Sequence, residues 1–226
     1  GGRICDRSCP GMRKRCGLDS LRIGPNIYSL ETEPDDLSRM ERQLGLPRLD
    51  GILGNDFIQR SLHDDMKPIA FGYDLHIDFP RRLLTLYRLD SDGHSPCTLL
   101  PRETHPFTLT QTGDLPVLTL QANGQDVRMA FDTGSTGYHL TPPTLDRLPG
   151  DVVPADSVTI AWYDHEQTAL TFRIQRLTLG SIEAQSPVVQ SFADPRFPEA
   201  DGILDIRFFA RRRISLNYVT RQLRVY

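Results

Sequence analysis

The residues of this sequence best suited to chemistry are Phe131-Asp132-Thr133-Gly134-Ser135, set directly behind the apolar run Val127 to Phe131. A carboxylate delivered by a strand and held in a tight turn is a fixed acid or base. Gly134 lets the backbone fold closely under the Asp132 carboxylate. Ser135 is placed to hydrogen-bond one carboxylate oxygen, and Thr133 offers a hydroxyl that can tie the turn to a partner lobe. Taken alone, Asp-Thr-Gly is short and common, and it reads first as an Asx turn closing a strand. The remaining reactive residues are less informative. Cys5, Cys9 and Cys16 crowd the start of the chain and Cys97 stands alone, so the pairing is open. Disulfides in an oxidising compartment are the expected state. The spacing is not the paired C-x2-C of a zinc site, and no histidine lies nearby in sequence. Asp19 has no glycine behind it, and His165 reads as a solvated turn residue.

What must position Asp132 is a unit that occurs twice. One passage runs Leu21-Arg22-Ile23-Gly24, then Asp50-Gly51-Ile52-Leu53, with Phe57 soon after; a later one runs Leu177-Thr178-Leu179-Gly180, then Asp201-Gly202-Ile203-Leu204, with Phe208 following. Each copy ends in a strand–turn–strand pattern, Leu75 to Phe79 with Leu83 to Tyr87, and Ile214 to Leu216 with Gln222 to Tyr226. The second copy carries additional strands at its front: Phe107 to Leu109, Val117 to Leu120, and Val127 to Phe131 behind an Asn123-Gly124 turn, the strongest short hairpin signal. The counterpart of that front in the first copy is expected before Gly1. Helices are few: Pro142 to Leu148, stopped by Pro149-Gly150, and Asp35 to Leu46, with Leu37, Met40 and Leu44 at helical spacing. The expected architecture is mostly β. Residues 1–90 form the C-terminal part of a first lobe, 91–101 a linker, and 102–226 a second, nearly complete lobe.

Apolar strand, Asp-Thr-Gly turn, helix, hairpin and Asp-Gly-Ile-Leu element come in an order that resembles one lobe of the retropepsin-like aspartic peptidases. The resemblance implies acid-protease β-barrel lobes in tandem. It also implies a flap near Thr159 to Phe172, whose centre reads Trp162-Tyr163-Asp164-His165-Glu166. Trp162 and Tyr163 would close over a bound peptide, with Ile203 and Leu204 beneath the loop as further substrate contacts. Two departures stand out. The flap lacks glycine, and the second copy reads Ile203-Leu204-Asp205 where the first reads Ile52-Leu53-Gly54. An aspartate in that place would crowd the floor of the site or add charge to it.

The chemistry that the resemblance implies needs two carboxylates sharing one proton. Asp132, within Asp132-Thr133-Gly134-Ser135, is one; its mate comes either from a segment before Gly1 or from a second chain. The expected activity is aspartic endopeptidase on a peptide or protein substrate, with no cofactor and no metal. The alternative is a catalytically inactive peptide-binding module that keeps the fold. With 29 acidic against 26 basic residues and no long basic run, nucleic acid is not an expected partner. No apolar stretch approaches the ~20 residues of a membrane span. The cysteines point to periplasm or secretion, with cytoplasm open.

Overall fold

The computed structural model describes residues 72–226 except 112–114, 136, 162–165 and 193–197, together with the backbone of 16–23 and 26–32. The chain divides into two compact units, and the early hairpin falls in the first. That hairpin pairs β1 (Cys16–Ile23) with β2 (Asn26–Thr32), Ile23 facing Asn26 across its tip. The segment expected as a helix at Asp35 to Leu46 and the first Asp-Gly-Ile-Leu element lie outside the described residues.

The second unit begins with the hairpin β3 (Tyr73–Asp78) and β4 (Leu83–Arg88). After a stretch without regular structure come β5 (Glu103–Pro106), β6 (Thr108–Leu109), β7 (Pro116–Ala122) and β8 (Gln125–Asp132). Asn123 and Gly124 join β7 to β8 with φ of 51° and 86°, the two left-handed residues of a type I′ hairpin turn. The Asn123 side chain also accepts from the Gln175 and Arg176 amides at 2.8 and 3.1 Å. Next are β9 (Tyr138–Leu140) and helix α1 (Pro142–Arg147), which opens on proline and ends before Pro149-Gly150, as its sequence predicts. Then follow β10 (Val153–Ala161), β11 (Glu166–Arg173), β12 (Arg176–Leu179), β13 (Ile182–Gln185) and β14 (Val188–Ser191). Last come β15 (Gly202–Asp205), a 3-10 turn (Ile206–Phe209), β16 (Arg213–Asn217) and β17 (Gln222–Val225).

Most of these strands form one sheet in the order β10-β11-β14-β9-β15-β8-β7-β12-β13, with β6 on β7. Its inner face is buried by alternation: in β7 every residue but Thr119 and Gln121 is buried, and Leu118, Leu120, Met129, Phe131 and Leu204 join one core. Phe131 meets Phe209 edge to face at 5.4 Å, tying the strand before the Asp-Thr-Gly turn to the 3-10 turn. Among the described residues no helix is long and apolar enough to cross a membrane.

A second sheet runs β4-β3-β16-β17-β5. Adding 139 to the residue numbers of the β3–β4 hairpin gives the β16–β17 hairpin with the same pairings. Leu75 opposite Leu86 becomes Ile214 opposite Val225, and Asp78 opposite Leu83 becomes Asn217 opposite Gln222. The turns agree in detail. Arg82 and Arg221 have φ of 53° and 52°, and Asp78 and Asn217 each accept a backbone amide three residues ahead, at 3.0 and 2.9 Å. β3 and β16 pair antiparallel with His76 facing Ser215, and that register maps onto itself under the same shift. The early hairpin repeats likewise: with 156 added, Ile23 opposite Asn26 becomes Leu179 opposite Ile182.

Candidate active site

β8 and β9 are consecutive but do not pair. β15 lies between them, parallel to β8 and antiparallel to β9, so the loop from Asp132 to Gly137 arches over its end. Two residues of the Asp-Gly-Ile-Leu element make this insertion possible. A Cβ on Gly202 would sit 1.9 Å from the His139 carbonyl oxygen, so only glycine lets β9 approach. Asp201 clamps the neighbouring elements. Its carboxylate accepts from the Arg128 amide at 2.8 Å, Arg147 Nη2 at 2.6 Å and Thr144 Oγ1 at 3.3 Å, linking β8 and α1 to the start of β15. The sequence shows Asp-Gly-Ile-Leu as a repeated word; its clamping role emerges only with the fold.

Asp132 ends β8 half-buried, with Thr133 and Gly134 exposed beside it. The Gly134 amide donates to Asp132 Oδ1 at 2.8 Å, and the Ser135 amide donates to the Asp132 carbonyl at 3.3 Å. These bonds fix the carboxylate against its own turn. The expected bond from the Ser135 hydroxyl to that carboxylate is not made; Oγ donates to the Gly137 carbonyl at 2.8 Å and closes the far side of the loop. Ile203 and Leu204 are 5% and 0% exposed and pack inside the lobe. Their expected contact with substrate is therefore corrected: with so little free surface they support the turn from beneath. Trp162, Tyr163 and His165 lie outside the described residues. The strands on either side of them, β10 and β11, form a hairpin where the flap is expected, held by Thr171 Oγ1, which bonds the Asp156 amide and carbonyl at 2.8 Å each.

Asp205 lies beside Asp132 in the parallel register. It neither crowds the turn nor leaves an isolated charge. Its side chain, 1% exposed, accepts from the Arg207 amide at 2.7 Å, which caps the 3-10 turn, and is ion-paired with the Arg207 guanidinium. Sequence reading missed this partner, although Arg207 is only two positions away. Tyr138, the first residue after the loop, has its phenol pushed above its ordinary value by burial and then by the Asp205 charge. It therefore remains a neutral hydrogen-bond donor beside the site. Cys97 is a free thiol; Cys5, Cys9 and the side chain of Cys16 lie outside the described residues.

The arrangement is a seated, hydrogen-bonded carboxylate with exposed small residues around it. Residues 118–207 match the family described as aspartyl protease, a stretch that includes β8, the Asp132 turn and β15. No curated protein matches the chain. Among solved structures, a retropepsin-like aspartic protease from Rickettsia conorii is similar at 12% identity and a TM-score of 0.40, over 54% of this chain and 89% of that one.

Proposed function

We propose that this chain, whose residues 118–207 match the aspartyl protease family, is an aspartic endopeptidase in which Asp132 is one member of a carboxylate dyad. The mate is supplied by a segment preceding Gly1 or by a second chain. The observation that carries the reading is the seating of Asp132: a strand end spread over an inserted β15, with Oδ1 held by the Gly134 amide and the adjacent Thr133 exposed. An ordinary Asx turn needs no strand threaded beneath it.

In this reading the lobe contributes a carboxylate of fixed orientation. Two such groups held close cannot both ionise, so one keeps a proton while the other draws a proton from a water between them. That water attacks the peptide carbonyl carbon. The protonated carboxyl gives its proton to the carbonyl oxygen, and the resulting tetrahedral diol collapses as the amine leaves with a proton. No covalent enzyme intermediate forms, and the pair titrates as a unit. The β10–β11 hairpin is the element placed to cover bound peptide and exclude water. The Asp205–Arg207 pair weakens the case for an inactive peptide-binding module, because the aspartate that departs from the first copy's glycine is capped and charge-balanced.

The test is cleavage of an unstructured peptide at acid pH by the full-length protein and its Asp132→Asn variant. Asn keeps an oxygen for the Gly134 amide, so folding should change by less than about 1 kcal/mol, while cleavage should be lost. A statine-type inhibitor should block the parent. Equal cleavage by the two proteins refutes the assignment.

A further inference from the structure

The seam between β3 and β16 is two-fold in its backbone but not in its side chains. The shift of 139 that superposes the hairpins carries Asp74 onto Arg213, His76 onto Ser215 and Thr85 onto Arg224. These unlike residues are joined across the seam. Buried Asp74 Oδ2 lies 2.9 Å from His76 Nε2 and 3.7 Å from Arg224 Nη1. His76 Nδ1 lies 3.2 Å from Arg213 Nη2. Arginine only donates, so Nδ1 accepts and the imidazole proton sits on Nε2, directed at Asp74. The Arg213 guanidinium also stands 5.4 Å over the Tyr226 ring. One carboxylate from the first repeat thus serves, directly and through a histidine, two guanidiniums from the second.

We infer that this seam accepts only unlike halves, so that β16 takes the β3–β4 hairpin of its own chain and not β16 of a second copy. The inference concerns the seam alone and stands apart from the source of the mate of Asp132. A symmetric pairing of β16 with β16 of another copy would keep the register about Ser215. It would also bring Arg213 and Arg224 twice and Asp74 not at all, leaving guanidiniums in a partly buried seam without their carboxylate. Pairing β3 with β3 would bury two Asp74 carboxylates together with neither arginine. Only the mixed pairing completes the chain Arg213–His76–Asp74–Arg224. Asp74 fits this role: burial acts to raise its pKa, but hydrogen bonds from His76 and Ser95 and the Arg224 charge outweigh it and hold the carboxyl below its ordinary value.

The experiment reads mass and melting temperature, not cleavage, so its outcome is separate from that of the Asp132 test. Light scattering on the parent chain should give the mass of one chain over a wide range of concentration. Asp74→Asn and Arg224→Gln should each lower the melting temperature, and the double variant should melt no lower than the worse single one. If Asp74→Asn does not fold, Arg213→Gln with Arg224→Gln replaces it in the same cycle, and losses that do not add are the expected result, since both guanidiniums lead to the one carboxylate. A dimeric parent or additive losses in the cycle would each overturn the inference.

Discussion

Replacing Gly202 with alanine adds one methyl group where β15 passes β9. That Cβ would stand 1.9 Å from the His139 carbonyl oxygen and 2.9 Å from its carbon, well inside contact distance. Both atoms are backbone, so no rotamer change relieves the overlap. One strand must move by an ångström or more, and the pairings Gly202 with Leu140 and Ile203 with His139 are then strained or lost. Two ladder bonds at about 1 kcal/mol each, with about 1–3 kcal/mol for overpacking, give an expected loss of roughly 3–5 kcal/mol. Urea denaturation followed by tryptophan-independent far-UV circular dichroism measures it, with the slope checked for constancy. Gly134→Ala is the control: its Cβ would lie 3.3 Å from Asp132 Oδ1, a side-chain atom in an exposed turn and not backbone, so less than about 1 kcal/mol is expected. If Gly202→Ala unfolds within about 1 kcal/mol of the parent, β15 is not threaded between β8 and β9, and the seat proposed for Asp132 fails with it.

Two further outcomes follow from the same geometry. Asp201→Asn keeps an acceptor for the Arg128 amide but loses the charge opposite Arg147 Nη2, and should destabilise by about 1–2 kcal/mol in the same denaturation assay. An unchanged midpoint would remove Asp201 from the clamp. The Asp74 carboxyl is held below its ordinary 3.8, so its ionised form favours the folded state. Its contribution is fully present above that value and is lost as pH falls from there through the lower folded value. Melting temperatures of the parent and of Asp74→Asn should therefore converge in that acid window, and a gap that persists below it would refute the linkage.

Local features were legible in the sequence because short-range chemistry fixes them. Asn123-Gly124 announces a turn that needs two left-handed residues, and Pro142 with Pro149-Gly150 brackets a helix. The repeated Leu-x-Ile/Leu-Gly and terminal hairpins recur with the same pairings, since alternation of apolar residues fixes register. What stayed hidden depends on distant partners. Asp74 and His76 alternate with apolar neighbours and read as the wet face of a strand; they are buried because β16, distant in sequence, lays Asn217 and Ser215 opposite them and brings Arg213 to the His76 ring. The Ser135 hydroxyl turns to Gly137 because the loop closes on itself, a choice of rotamer that residue order does not encode. Asp205 looked like damage to the site for want of Arg207, whose pairing requires the chain to enter a 3-10 turn directly after β15.

The two hairpins of the seam separate what a duplicated unit must keep from what it is free to change. Their turns keep the same chemistry: an Asp or Asn oxygen receiving the same amide, and an arginine in the left-handed region at the same place. That turn is local, so each copy has to satisfy it alone. The residues facing across the two-fold axis obey a different constraint. In a homodimer each must tolerate its own image, and an aspartate would meet an aspartate environment. Here Asp74 is matched by Arg213 and His76 by Ser215, pairs that no symmetric assembly can generate from one strand. The contrast of Gly54 with Asp205 belongs to the same class, a change in one copy only, balanced by its own arginine. In the reading inferred above, covalent linkage of unlike halves permits such divergence, and the seam's charge pattern is what it would leave.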